Sequence, residues 1–347
     1  MTAKRLKFLL NWFWVYSKKS KTAGFTLIEL LVAIIIASLI IVVLLSLVIE
    51  ILQIDHREAA RDETQQEMQR ASDFISKELR EAVYVYDGNC LQNTAQGNPQ
   101  DANYCPGLAN YLPTFANQTP VIAFWKPETI PDNQMPTNCS AFATDALKQE
   151  CNDLLIRRRT YELVVYLQST ENSSNIWSGK SRITRYTLHK YRDTSNLILS
   201  EGYVDPSKEG GTIFQTWPLQ TNATANTATN LQATSPLASN TPDVLVDFVD
   251  APNATGVNVP PCDSTRNYVP SPKATATTAN SNSFFACVRS AVPTTATLTT
   301  TPTGLNQDVI LYLRGNANGK PGVTADNFRP VLQTQVLIRG VINKVPQ

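Results

Sequence analysis

From Leu30 to Ile49 the chain runs for 20 residues on Leu, Val, Ala, Ile and two serines alone. At about 1.5 Å per residue, a helix of this run spans about 30 Å, the thickness of a bilayer's hydrocarbon core. A segment apolar on every side needs lipid or an equivalent packing partner, which excludes a chain living wholly in the cytosol. Charge is arranged around the run. The sequence as a whole carries 30 Lys+Arg against 29 Asp+Glu, so overall basicity is absent and no nucleic-acid partner is expected. Residues 1–24, however, hold six basic residues (Lys4, Arg5, Lys7, Lys18, Lys19, Lys21) and no acidic one. The residues after the run (Glu50, Asp55, His56, Arg57, Glu58) are mixed. The positive-inside rule then places the N-terminus in the cytoplasm and everything past residue 50 outside it.

All six cysteines (Cys90, Cys105, Cys139, Cys151, Cys262, Cys287) fall on that outer side. Their even number and wide spacing suit disulfides in an oxidising compartment, and no Cys-x-x-Cys pair points to zinc or redox chemistry. Six cysteines allow about 15 pairings. Pairing of sequence neighbours, 90 with 105, 139 with 151 and 262 with 287, is expected because each pair brackets a loop-like stretch. Closing a loop of about 15 residues contributes about 3 kcal/mol in the chain-entropy description.

Phe25 to Asp87 contains neither Gly nor Pro, and this predicts one continuous helix ended by Gly88 and Asn89. It changes character along its length. The part to about Ile54 is apolar all round. Asp55 to Arg70 is almost wholly polar, with Glu58/Arg61 and Glu67/Arg70 at i,i+3 spacing. Phe74, Ile75, Leu79, Ala82, Val83 and Tyr86 then form a stripe suited to packing on a sheet. Beyond residue 90, strands are expected at Val121 to Lys126, Tyr161 to Ser169, Arg182 to Tyr191, Leu197 to Val204, Asp243 to Val249, Asp308 to Arg314 and Val331 to Asn343. Only a short helix near Ala141 to Leu155 interrupts them, so the sheet should be antiparallel and the fold class α+β. Thr221 to Thr241 and Pro270 to Gly304, rich in Thr, Ala, Asn, Ser and Pro, read as long surface loops, with a short strand pinned at Phe284 and Phe285 beside Cys287.

The junction between basic leader and apolar run reads Gly24-Phe25-Thr26-Leu27-Ile28-Glu29-Leu30-Leu31. It resembles the prepilin motif of the type IV pilin family, which includes the pseudopilins of type II secretion. That resemblance implies cleavage after Gly24 by a membrane-embedded prepilin peptidase, N-methylation of the exposed Phe25, and Glu29 as the glutamate at the fifth mature position. The residues suit this chemistry: a glycine lets a protease approach the backbone closely, and the basic leader holds the scissile bond at the cytoplasmic face. A carboxylate in a membrane helix is costly, about 2.5 kcal/mol or more when central, and such residues pair. Here the α-amine of Phe25 on a neighbouring subunit, or of the same chain one turn away, is the implied partner for Glu29.

The same resemblance implies an organisation into a leader (1–24), a transmembrane and assembly helix (25–54), an amphipathic continuation (55–87) and an exported β-rich domain (88–347). The size suits a large minor pilin of the W or J type. Ser46 stands where many major pilins carry a helix-bending proline. The segments Glu50 to Ala59, Asp73 to Asp87 and Ala123 to Lys126 further resemble the C-type pseudopilin of the cyanobacterial hormogonium polysaccharide secretion system. Implied partners are the peptidase and methyltransferase, other pilins and pseudopilins, an inner-membrane assembly platform, the membrane, and exported polysaccharide. The implied location is single-pass in the inner membrane, then a filament at the cell surface.

Enzyme chemistry is sparsely signalled. His56 and His189 are the only histidines, neither at ligand spacing, and both read as solvated or strand-face residues. No nucleophile elbow, Ser-x-x-Lys or dinucleotide fingerprint occurs. Gly315 to Lys320 resembles a phosphate loop one residue short and reads as a surface turn. Asn316, Asn318 and Asp326 offer a weak calcium set. Arg157-Arg158-Arg159 reads as a solvated strand edge, and Trp125, Trp177 and Trp217 as core more readily than sugar platforms. No catalytic residue, cofactor or metal is therefore expected. Two hypotheses remain: a non-enzymatic filament subunit, or an exported, membrane-anchored enzyme or glycan-binding protein whose Gly24 to Glu29 match is incidental.

Overall fold

A computed structural model describes residues 24, 26–208, 210–233, 241–273, 281–290 and 307–339. The leader 1–23, Phe25, and much of the two Thr-rich segments lie outside the described residues. The chain divides into two compact units between His56 and Arg57. One helix, α1 (Leu27–Glu81), supplies the described helical part of the first unit and opens the second. It is unbroken at Ser46, whose hydroxyl donates to the Val43 carbonyl at 2.9 Å.

In chain order α1 is followed by β1 (Tyr84–Tyr86), α2 (Gly88–Leu91), β2 (Gln118–Thr129), α3 (Asp145–Arg157), β3 (Arg159–Ser169), β4 (Ser181–Leu188), β5 (Tyr191–Asp193), β6 (Ile198–Leu199), β7 (Leu219–Asn222), β8 (Thr227–Asn230), β9 (Asp243–Val249), β10 (Tyr268–Ser271), β11 (Phe284–Arg289), β12 (Asp308–Arg314) and β13 (Val331–Leu337). Two antiparallel sheets dominate, a five-stranded one in the order β1-β2-β3-β4-β9 and a four-stranded one in the order β10-β11-β12-β13. The architecture is α+β and pilin-like: a long N-terminal apolar helix followed by an antiparallel β-sheet domain.

Side-chain alternation shows why β2 and β3 are almost continuously apolar. Phe124, Val164 and Tyr166 point into a core shared with Met68, Ala71, Ile75 and Leu79 of α1 and with Phe284, Val309 and Leu311 of the second sheet. Their neighbours Trp125, Leu163, Val165 and Leu167 point the other way, into a second core with Leu91, Leu108, Tyr203 and Trp217. Strands buried on both faces lose the polar half of the period-2 pattern. The six cysteines form Cys90–Cys105, Cys139–Cys151 and Cys262–Cys287.

The helix ends earlier than its composition suggests. Residues 82–87 are expected as its continuation, but Tyr84, Val85 and Tyr86 pair antiparallel with Trp125, Phe124 and Ala123. β-branched and aromatic residues gain more from a sheet edge, where Trp125 Nε1 donates to the Tyr86 hydroxyl at 2.9 Å, than from another helical turn. Gly88 does not stop a helix either; it begins α2, with Asp87 as N-cap. A Cβ at Gly88 would lie 1.9 Å from the Pro270 carbonyl oxygen, so the glycine is there for close approach of β10.

The polar stretch Asp55 to Arg70 also has a hidden side. Ala60, Thr64 and Met68 are buried at four-residue steps, and Gly315 offers the last two bare backbone, where a Cβ would lie 2.8 Å from Met68 Cγ and 3.1 Å from Thr64 Cγ2. Of the two expected i,i+3 pairs, Arg61 meets Glu58 at 3.0 Å. Glu67 turns to Lys320 at 2.9 Å, which Glu63 also reaches at 3.0 Å.

Other boundaries differ from expectation for similar reasons. Arg182 to Tyr191 splits into β4 and β5 because Lys190 turns inward to Glu150 and Asp205. Leu197 to Val204 keeps only the two residues of β6, since Leu197 and Gly202 both take positive φ. The hairpin β7–β8 lies within and beside a segment expected as loop, and β10 opens the other such segment. Backbone pairing does not require apolar side chains, so composition could not show it. The last strand is described to Leu337; residues 340–343 of the expected span lie outside the described residues.

One carboxylate fixes α1 to the sheet. Glu78 accepts two bonds from Arg185 of β4, Nη2 at 2.8 Å and Nε at 3.0 Å, and one from the Tyr166 hydroxyl of β3, while Lys126 Nζ of β2 lies 3.0 Å away. Burial alone would raise its pKa; Arg185, Tyr166 and Lys126 outweigh that and hold the carboxyl below its usual range. Glu78→Ala should therefore leave the half-buried Arg185 without its carboxylate partner, while Lys126 keeps Glu162 at 3.0 Å, and cost about 3 kcal/mol, read as a lowered denaturant midpoint.

Candidate functional site at the N-terminal junction

The first turn of α1 presents the residues singled out by the sequence. Gly24 is exposed, and among the described residues no atom lies within 4 Å of where a Cβ would stand, which leaves its backbone accessible. Phe25 lies outside the described residues. The Thr26 carbonyl accepts from the amides of Glu29 at 3.0 Å and Leu30 at 3.2 Å, opening the helix. Glu29 sits in that first turn, where the helix dipole favours a negative charge.

The rest of the helix to residue 59 is uncovered, and its first part is apolar. Every residue from 26 to 59 is exposed, Leu27 at 85% and Ile41 at 55% among them. Each aliphatic side chain left in water forgoes about 1.5–3 kcal/mol, so this surface is made for lipid or for other helices. α1 is long and apolar enough to cross a membrane. Chemically, the junction can do two things: submit a peptide bond to a protease, and place a carboxylate one turn inside an apolar rod.

The other candidates are distributed differently. Trp125 and Trp217 are fully buried and stack edge to face at 5.4 Å between centroids. Trp177 is half-buried under the Arg182 guanidinium. Arg158 caps α3 in a left-handed conformation and pairs with Asp132 at 2.7 Å, while Arg157 and Arg159 are exposed. The Gly315 to Lys320 turn has its lysine buried against Glu63 and Glu67, so the lysine is spent on α1. Asp326, the acidic member of the calcium set, accepts from Lys180, Asn316, Asn318 and Arg329; cations and amides already occupy its oxygens.

His189 is neither a simply solvated nor a strand-face residue. It is paired, 2.8 Å from Glu128 and 3.2 Å from Glu162 through Nδ1. Glu128 and then Glu162 raise its pKa to about 9 against the opposing effect of burial, so the ring is an imidazolium at neutral pH. No spacing rule could have found this group, because its members come from β2, β3 and the end of β4.

Residues 19–45 match the family described as "Prokaryotic N-terminal methylation motif". The matched stretch contains Gly24, Phe25 and Glu29 and most of the apolar run. It supports a pilin or pseudopilin subunit, structural in character, that is processed by a prepilin peptidase and associates with a membrane and with other pilins. No curated protein and no solved structure matches the chain.

An integral anchor has a simple consequence. In a membrane fraction the intact chain should stay with the pellet through an alkaline carbonate wash and enter solution only with detergent. Release by carbonate alone would contradict the assignment of residues 27–54 to lipid.

Proposed function

We propose that this chain is a minor pilin or pseudopilin, a non-enzymatic subunit of a type IV pilus-like filament. The observation that carries the reading is the methylation motif running without interruption into an apolar helix exposed on all sides. Cleavage falls between Gly24 and Phe25, removes the leader 1–24 from the cytoplasmic face, and leaves Phe25 as an N-methylated terminus. The new amine stays cationic after monomethylation. Glu29 neutralises the amine of a neighbouring subunit as the helices stack, so that neither charge is left alone among apolar side chains. Residues 25–54 are the membrane and assembly segment, and the domain from residue 88 lies in the periplasm and then on the filament.

The size of that domain supports a W- or J-type position. The likeness of Glu50 to Ala59, Asp73 to Asp87 and Ala123 to Lys126 to the C-type pseudopilin of hormogonium polysaccharide secretion supports a role in polysaccharide export and gliding motility. Exported glycan and the assembly platform are the partners this role requires.

Intact-mass analysis of the protein isolated from cells tests the processing step. The expected chain begins at Phe25 and is heavier than the unmodified residues 25–347 by one CH2, the net gain when a methyl group replaces an amine hydrogen; a chain still carrying Met1 and its lysines would overturn the reading. The charge pair is tested separately by Glu29→Ala. Processing should continue while incorporation into filaments falls to background, and normal incorporation would remove the pairing mechanism.

A further inference from the structure

Filament assembly through the N-terminal helix makes no use of the group around His189. Glu128 lies near the end of β2, Glu162 lies on β3 and His189 comes directly after β4, and these three strands are neighbours in one sheet. Their ligand-type atoms all lie within 4.8 Å of one another. His189 Nδ1 faces Glu128 Oε1 at 2.8 Å and Glu162 Oε2 at 3.2 Å. Each carboxylate has its other oxygen held from behind: the Thr160 hydroxyl donates to Glu128 Oε2 at 3.4 Å, and Lys126 Nζ stands 3.0 Å from Glu162 Oε1. Outer partners of this kind fix the orientation of metal ligands. Glu162 is buried, whereas the His189 side chain is 48% exposed, so the group opens to solvent at the histidine.

We propose that Glu128, Glu162 and His189 form a three-ligand zinc site with its fourth position open to water. One imidazole nitrogen with two carboxylate oxygens suits zinc, whereas calcium and magnesium prefer oxygen alone. A tetrahedral ion about 2.0–2.1 Å from each ligand separates the ligand atoms by about 3.3 Å. To reach that spacing, the two nitrogen–oxygen distances present need to open by about half an ångström or less. The ion takes the place of the proton on Nδ1, which passes to solvent. Bound there, it ties β2, β3 and the end of β4 together where β4 gives way to β5.

The test uses the full chain in detergent, stripped with a chelator and dialysed against micromolar zinc, with bound metal measured by elemental analysis. One zinc per chain is expected, together with a higher unfolding temperature in zinc than without it. His189→Ala should bind about tenfold more weakly or worse and lose the thermal shift, and His56→Ala should behave as wild type. Glu128→Gln, which removes charge but little volume, should match His189→Ala and guards against a variant that fails to fold. No retained zinc in the wild type, or equal retention in His189→Ala and Glu128→Gln, would show an ion pair only and overturn the site.

Discussion

A single buried carboxylate holds the arrangement of the β-sheet domain together. Glu78 projects from α1 into a position where burial would neutralise it, and it stays charged because Arg185, Tyr166 and Lys126 reach it from three adjacent strands. Those partners fix the rotation of the helix about its axis. With Glu78 on the sheet, Met68, Ile75 and Leu79 turn to the apolar core shared by the two sheets. Lys126 extends the network to Glu162, and Glu162 extends it to His189, so the charges that seat the helix also order the group proposed to take zinc.

The two sheets are joined by a second polar core. Asp250, fully buried after β9, accepts from Arg314 of β12 at 2.9 Å and from Asn316 at 2.7 Å. Gln168 of β3 donates to Ser181 at 2.9 Å and Ser283 at 2.7 Å. Buried polar groups of this kind are costly unless every member is satisfied, and satisfied networks specify one arrangement of the sheets over others. That is the physical reason the asparagines near residue 316 serve structure: their amides are donors to carboxylates, where a calcium site would need free oxygens.

A single helix serves two environments without a break. To about Ile54 it offers apolar side chains in every direction; from Ala60 onward one face is buried and the rest is largely charged or polar. For the filament subunit proposed above, the first half is the part that would leave lipid for contact with other helices, and the second carries the folded β-sheet domain. The changeover is marked by Asp55 to Glu58, where side chains turn from aliphatic to charged.

By itself the sequence determined the parts whose physics is local. The apolar run, the basic leader, the Gly24 to Glu29 motif, the α+β class and the antiparallel strands at Asp243–Val249 and Asp308–Arg314 are set by periodicity, charge and composition. Tertiary structure decided what depends on partners distant in the chain. It ended the helix at Glu81 because Tyr84 to Tyr86 find β2, and buried Met68 because Gly315 leaves room for it. It made His189 a charged residue by delivering Glu128 and Glu162 to it. Such contacts leave no period and no spacing to read, since each exists only once separate strands have been brought side by side.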